Sequence, residues 1–217
     1  MKEDTLVVHE IYRSVQGEST FAGLPCTFVR LTGCNLRCTW CDTPQAFYKG
    51  TRRRRDEVLA LALAEGTQLV ELTGGEPLLQ PGALLLMREL CDAGRTVLVE
   101  TSGEADVSRV DPRVHKIMDL KAPGSGESHR NRWENLAHLS ARDEIKFVLA
   151  GRADYEWMRA VIRERGLGAS GATLLASCVF GAMLPRDLVS WVLEDGLPVR
   201  VQVQLHKVIW SADAQGV

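Results

Sequence analysis

The chain has 217 residues, 45% hydrophobic and 25% charged, with a formal net charge of −2. That length fits one domain, burying roughly 70% of its unfolded surface in a sizeable core, and the balanced charge argues against nucleic acid as a partner. No run of eighteen apolar residues occurs and Met1-Lys2-Glu3-Asp4 does not open a signal peptide, so no membrane partner is expected and the protein reads as cytoplasmic.

Residues 7–12 alternate weakly and predict a short first strand, followed over 14–23 by a polar loop that carries Gln16-Gly17-Glu18. Residues 27–31, β-branched and aromatic, predict the next strand. Three thiols follow at its C-terminal end. Cys34, Cys38 and Cys41 are spaced Cys-x3-Cys-x2-Cys, with Trp40 inside the second interval and Asp42-Thr43 behind it. No fourth Cys or His lies nearby in the sequence. Structural zinc takes four protein ligands in a closed tetrahedron, so a zinc knuckle here would have to borrow a distant His9 or His115. Three thiolates on one short loop suit instead a four-iron cluster with one iron open to an outside ligand. Arg37, within the loop, would offset its negative charge. Cys26, Cys91 and Cys178 stand apart in apolar surroundings and read as small core residues.

Residues 51–55 form a basic run, read as a solvated lead into a helix from Asp56 to about Ala64. A strand over 69–73 closes on Gly74-Gly75-Glu76-Pro77, and a helix from about Gly82 stops at Gly94. Strands are predicted over 96–100, 114–120 and 145–149, with a short helix near 132–139. A helix over 154–164, a strand over 173–176, a helix over 185–194 and a last strand over 199–204 bring the chain to His206-Lys207. Strand and helix alternate about six times, which argues for a mostly parallel sheet with crossover helices. The chain is short for a closed eightfold barrel of about 250 residues. The expected fold is therefore α/β, an incomplete (βα)6-type TIM barrel forming a single domain over 1–217. Functional groups in such folds gather beyond the C-terminal strand ends. The Cys loop, residues 74–77 and 100–103, Lys121, Ser177 and residues 204–207 should then share one rim.

The Cys triplet after one strand and Gly74-Gly75-Glu76-Pro77 after the next resemble the radical S-adenosylmethionine superfamily. Gln16-Gly17-Glu18, Cys41-Asp42-Thr43, Glu100-Thr101-Ser102-Gly103 and the closing Gln204, His206 and Lys207 narrow the resemblance to the 7-carboxy-7-deazaguanine synthase family, over residues 9–210. The resemblance implies a [4Fe–4S] cluster on Cys34, Cys38 and Cys41, whose open iron chelates S-adenosylmethionine. One electron from an external donor cleaves that cofactor to methionine and a 5′-deoxyadenosyl radical. The radical takes a hydrogen from 6-carboxy-5,6,7,8-tetrahydropterin, whose ring contracts with loss of ammonia to give a precursor of queuosine and other deazapurines.

The resemblance also implies Mg2+ at Thr43. Cofactor contacts would fall at Thr39, Trp40, Gly75, Glu100 and Ser102, then at Asp119, Leu120 and Lys121, and finally at Ser177, Cys178, Val179 and Phe180. Substrate contacts would fall at Val15, Gln16, Gly17, Arg30, Thr73 and His206, with Arg30 clamping the substrate carboxylate. Glu76 reads as a support for the Gly turn. Asp119-Leu120-Lys121 departs from the Ser-Pro-Lys form typical of the family, and residues 177–180 are more apolar than its pattern. A homodimer is typical of the family. A radical activase that makes a glycyl radical on a partner protein shares the three-Cys loop. Gln16, Gly17 and Arg30, suited to a small carboxylated heterocycle, argue against it.

Overall fold

Strand β1 (Thr5–Val15) turns back antiparallel on β2 (Pro25–Leu31), setting Tyr12 opposite Phe28 and Glu10 opposite Arg30. These elements belong to a computed structural model that describes residues 3–211 and 214–216. β1 is longer than its weak alternation predicts and takes in Ser14 and Val15, because all seven residues of β2 offer it a pairing edge. From β2 onward the sheet is parallel. β2 is followed by β4 (Leu69–Gly74), β5 (Thr96–Thr101), β6 (His115–Asp119), β7 (Glu144–Leu149), β8 (Thr173–Cys178) and β9 (Val199–Val201), each paired with the one before. The remaining strand, β3 (Thr51–Arg54), lies antiparallel on the outer side of β1, so the sheet runs β3-β1-β2-β4-β5-β6-β7-β8-β9. This is the incomplete barrel, with more strands than six.

Two readings need correction. The basic run does lead, solvent-exposed, into the helix that starts at Arg55, but residues 51–54 form an edge strand on the way, with Arg54 opposite Thr5 and Arg52 opposite Val7. On an edge, one side of the strand and both rows of long side chains stay in water, which suits arginine. The last strand stops at Val201, and His206-Lys207 lie in a short helix, α5 (Leu205–Ile209).

Helix α1 (Arg55–Ala64) opens with Asp56 and Glu57 in its first turn, where carboxylates favour the helix dipole. α2 (Pro81–Asp92) starts on a proline and is closed by Gly94 at φ +76°. The Gln80 side chain, just before it, accepts from Val7 N (2.8 Å) and donates to Val7 O and Thr32 O (both 3.0 Å). α3 (Arg152–Glu164) and α4 (Pro185–Asp195) cover the crossovers into β8 and β9. The β5–β6 connection is an extended loop, and the β6–β7 connection is built from 3₁₀ turns at Pro123–Ser125, Ser128–Arg130 and Trp133–His138. Helices therefore do not alternate with strands as regularly as predicted.

Residues two apart on a strand share a face. The outward set, including Val70, Leu72, Val97 and Val99, packs on Val58 and Ala62 of α1 and Leu86, Met87 and Leu90 of α2. Ile145, Phe147, Leu149 and Leu174 pack likewise on Tyr155, Met158 and Ile162 of α3 and Leu188 of α4. Each such side chain contributes about 1.5–3 kcal/mol when fully buried. The inward set starts with an apolar layer of Cys26, Phe28, Leu69, Leu98 and Ile117. One step further along these strands it turns polar, at Arg30, Glu71, Glu100 and Asp119, and Lys146 of β7 joins them. Among the described residues, no helix is long and apolar enough to cross a membrane.

Candidate active site

The polar inward layer, the Cys loop and α5 enclose a cavity of about 730 Å³ beyond the C-terminal strand ends. Cys34, Cys38 and Cys41 all line it and are half-buried. The loop that carries them is held by its backbone. Thr39 N donates to Ser125 O (3.0 Å), Thr39 Oγ1 to Gly124 O (2.8 Å) and Arg37 N to Glu127 Oε1 (2.6 Å). Arg37 Nη1 donates to Cys34 O and Leu36 O, and its guanidinium lies 4.3 Å from the centre of the Phe47 ring. Burial pushes all three thiols above the ordinary thiol value, and Lys121 pulls each one back. Although burial works against its charge, Asp119 and Cys38 hold the Lys121 ammonium above the usual lysine range. Its Nζ sits 2.8 Å from Asp119 Oδ2.

A tetrahedral zinc would draw its thiolates to within about 4 Å of one another. Among the described residues, no three Cys, His, Asp or Glu side chains converge in that way. Both distant histidines also fail as a fourth ligand. His115 starts β6, at the far end of the strand from the cavity, with Nδ1 on Arg142 O (3.0 Å), and His9 is off the cavity wall.

The Gly74-Gly75 turn packs directly on the chain that leads into Cys34. Gly74 has φ +142°, and a Cβ there would lie 2.1 Å from Leu31 O. A Cβ on Gly75 would meet Gly33 O at 2.2 Å and Cys34 Cβ at 2.8 Å. Only glycine fits both positions. Glu76 is fully buried beneath this turn. It accepts from Leu78 N (3.0 Å), Thr101 Oγ1 (3.0 Å), Ser102 N and Ser102 Oγ (both 2.7 Å). It is a strut between the ends of β4 and β5, as the sequence suggested.

On the other side of the cavity, Arg30 Nε donates to Glu10 Oε1 (2.7 Å) and Nη2 to Tyr12 OH (2.9 Å). Gln16 Nε2 donates to Glu71, and Lys146 Nζ meets Glu18 Oε2 and Glu100 Oε1, each at 2.5 Å. Burial works against the Lys146 charge, but Glu100 and Glu18 hold its ammonium well above the ordinary value. Burial and the Glu100 charge keep Glu71 protonated far above the usual carboxylate range, while Lys146 overrides burial at Glu100 and keeps it ionised. The two adjacent inward carboxyls are thus pushed in opposite directions.

α5 closes the cavity over the Cys loop. Lys207 Nζ and Gln204 Nε2 both donate to Asp42 Oδ2 (3.2 and 3.3 Å), and Thr43 Oγ1 donates to Asp42 Oδ1 (2.9 Å). Burial tends to raise the Asp42 carboxyl, but Lys207 and the Thr43 hydroxyl hold it down at about 2. Leu205 N donates to Gly17 O (2.9 Å), which docks α5 on the loop after β1. Burial lowers the His206 imidazole below the ordinary histidine value.

The cavity wall brings together Val15, Gln16, Gly17, Arg30, the three cysteines, Trp40, Thr43, Thr73, Gly75, Glu100, Ser102, Asp119, Lys121, Val179, Phe180 and His206. Four expected cofactor residues lie off it. Leu120 and Cys178 alternate onto the helix-side core. Ser177 is buried in the sheet beside Val148, and the Thr39 side chain is spent on Gly124. Glu10, Tyr12, Glu71, Lys146 and residues 214–216 line the cavity without having been singled out. For Glu71 and Lys146 the available signal was a charge in mid-strand, inside Leu-Val-Glu-Leu and Ile-Lys-Phe-Val.

The radical SAM superfamily matches residues 28–164. The 7-carboxy-7-deazaguanine synthase of Chlorobaculum tepidum is 47% identical over 218 residues, covering 99% of each chain. That of Koribacter versatilis is 47% identical over 225 residues, covering 97% of this chain and 99% of the other. The chain belongs to the 7-carboxy-7-deazaguanine synthase family. QueE from Escherichia coli shares the fold of this family member, with a TM-score of 0.75 at 24% identity over 93% of this chain and 95% of that one.

As a radical SAM protein, this member of the synthase family works with a [4Fe–4S] cluster and S-adenosylmethionine. The residues present fit both groups. Three thiols line one wall and, among the described residues, form no cage for a single ion. The Gly75 cradle packs on Gly33 and Cys34 and lines the same cavity. Asp119 Oδ1 and Glu18 Oε1 are buried without a partner among the described residues, leaving acceptors for bound groups.

Proposed function

We propose that the chain converts 6-carboxy-5,6,7,8-tetrahydropterin to 7-carboxy-7-deazaguanine, with ring contraction and loss of ammonia, for queuosine and other deazapurines. The observation that carries this reading is one cavity with two unlike walls. One holds the thiols and the Gly75 cradle; the other holds Arg30, Gln16, Gly17 and His206. The cluster and S-adenosylmethionine, when bound, supply a 5′-deoxyadenosyl radical that takes a hydrogen from the substrate.

The chain's own residues bind, orient and shield. A guanidinium has five donors; Glu10 and Tyr12 fix the plane of Arg30 and leave Nη1 for the substrate carboxylate. Thr43 and Asp42 present hard oxygens side by side at the mouth, a donor set suited to Mg2+. Lys121 offsets the charge of the thiolates. The uncharged His206 ring supports a heterocycle rather than countering its carboxylate. Trp40 packs on Gly124, where a Cβ would lie 2.9 Å from Cζ3, and walls the thiols from solvent.

One continuous sheet supports a single domain over 1–217. The proposal includes an external one-electron donor, a homodimer, a cytoplasmic location and no nucleic-acid or membrane partner. An activase acting on a protein is not favoured, since near-full-length relatives are synthases.

The test is turnover. Cluster-loaded protein given the tetrahydropterin, S-adenosylmethionine, Mg2+ and a reductant should release 7-carboxy-7-deazaguanine and ammonia in equal amounts. No product with every component present overturns the proposal.

A further inference from the structure

Lys146 stands mid-strand in β7, between Ile145 and Phe147 of the helix-side core, and its side chain is only 5% exposed. Its two carboxylate partners come from different parts of the site. Glu18 lies in the loop after β1, two residues beyond Gln16. Glu100 is the last residue but one of β5, and its other oxygen accepts from Thr73 Oγ1 (3.3 Å). Gln16 joins the same array, since its Oε1 accepts from Glu18 N (3.3 Å) and its Nε2 donates to Glu71. A continuous chain thus runs Thr73, Glu100, Lys146, Glu18, Gln16, Glu71 across the cavity.

Stability alone does not ask for a lysine at this position. Buried ion networks replaced as a whole by apolar residues of similar volume are often neutral or more stable. What the lysine adds is position. The backbone of the loop is already fixed by Gln16 N to Leu24 O and Gly23 N to Gln16 O (both 2.8 Å). The Glu18 side chain, by contrast, has Lys146 on Oε2 and, among the described residues, no partner on Oε1.

We propose that Lys146 is a positioning residue shared by the two halves of the site, holding Glu18 of the substrate loop on the same ammonium as Glu100, whose chain neighbours Thr101 and Ser102 hold Glu76 beneath the Gly74-Gly75 turn. Filling either half then preorganises the other, and the two ligands bind with positive, reciprocal coupling. The inference rests on reading the cavity as the tetrahydropterin site.

The experiment compares wild type, Lys146→Met and Lys146→Arg as cluster-loaded proteins. S-adenosylmethionine affinity is measured without reductant, with and without the tetrahydropterin, and KM and kcat are measured under turnover. In wild type the pterin should tighten cofactor binding at least about fivefold. In Lys146→Met that coupling should vanish and KM should rise at least about tenfold, with a smaller change in kcat and in cofactor affinity alone. Lys146→Arg should restore part of both. Wild-type coupling and KM in Lys146→Met overturn the inference, as does an uncoupled wild type. Should Lys146→Met fail to load its cluster, Glu18→Gln carries the test: lost coupling supports the inference and unchanged coupling overturns it. A wild type that turns over the pterin without coupling sinks this inference alone. A wild type with no turnover sinks the functional reading and the inference with it.

Discussion

A methyl group on Gly17 would sit 2.3 Å from Nδ1 of His206. Gly17 is needed here for space, because its backbone O also accepts from Leu205 N and fixes α5 at that distance. Gly17→Ala should push the His206 ring and α5 outward. Overpacking of this kind costs about 1–3 kcal/mol, so the protein should still fold while KM for the tetrahydropterin rises about tenfold or more. Steady-state kinetics beside a thermal melt check this; an unchanged KM would show that α5 does not shape the substrate side.

Arg30→Ala should weaken substrate binding and spare the cofactor. A charge-assisted bond to a carboxylate is worth about 1.5–3 kcal/mol, or roughly tenfold to a hundredfold in KM. Titration with S-adenosylmethionine should give the wild-type affinity. Loss of cofactor affinity instead would remove the carboxylate-clamp role.

Cys38→Ala should lose the cluster and the activity together. Cys38 lies on the cavity wall and is half-exposed, so the protein before cluster loading should unfold at the wild-type midpoint. Visible absorbance after reconstitution gives the readout. An intact cluster in this variant would contradict the ligand assignment.

Glu71 predicts a pH dependence with a definite sign. Burial and Glu100 raise its folded pKa, against the pull of Lys146 and Gln16. An unfolded glutamate titrates near pH 4.3. Above that value the native state keeps a proton that the unfolded state has lost, so the contribution of Glu71 is full below about pH 4.3 and is lost as pH rises through its folded value. Glu71→Gln keeps the shape and removes the proton. Urea midpoints at about pH 5 and pH 8 should show the variant gaining on wild type as pH rises. Parallel curves would mean that Glu71 is ionised in the native protein.

Much of this site was readable in the chain because its chemistry is local. Three cysteines within eight residues and the Gly74-Gly75 turn state their demands without a fold. The strands carrying them were equally plain, being β-branched and bounded by turns. Lys146 was not readable in that way. Its partner Glu18 is 128 residues away, and the pairing exists only once the barrel closes. Leu120 and Cys178 lie off the cavity wall for a related reason: family position names a stretch, whereas strand alternation decides which residue of the stretch faces inward. α5 was read as a strand end because Val199 to Val201 begins as one, and its helix is secured by contacts to Gly17 and Asp42 that lie far off in sequence.

Among the described residues, the incomplete barrel leaves two strand edges unpaired, β3 and β9. Such edges invite pairing with another chain and are a common route to aggregation. Here β9 is only three residues long, with Arg200 in its middle, and β3 is Thr51 followed by three arginines. Neither presents a flat apolar row to a second sheet. Arg52, Arg53 and Arg54 charge one of these edges, and a Val-rich exchange at those positions should leave the cavity intact while lowering solubility.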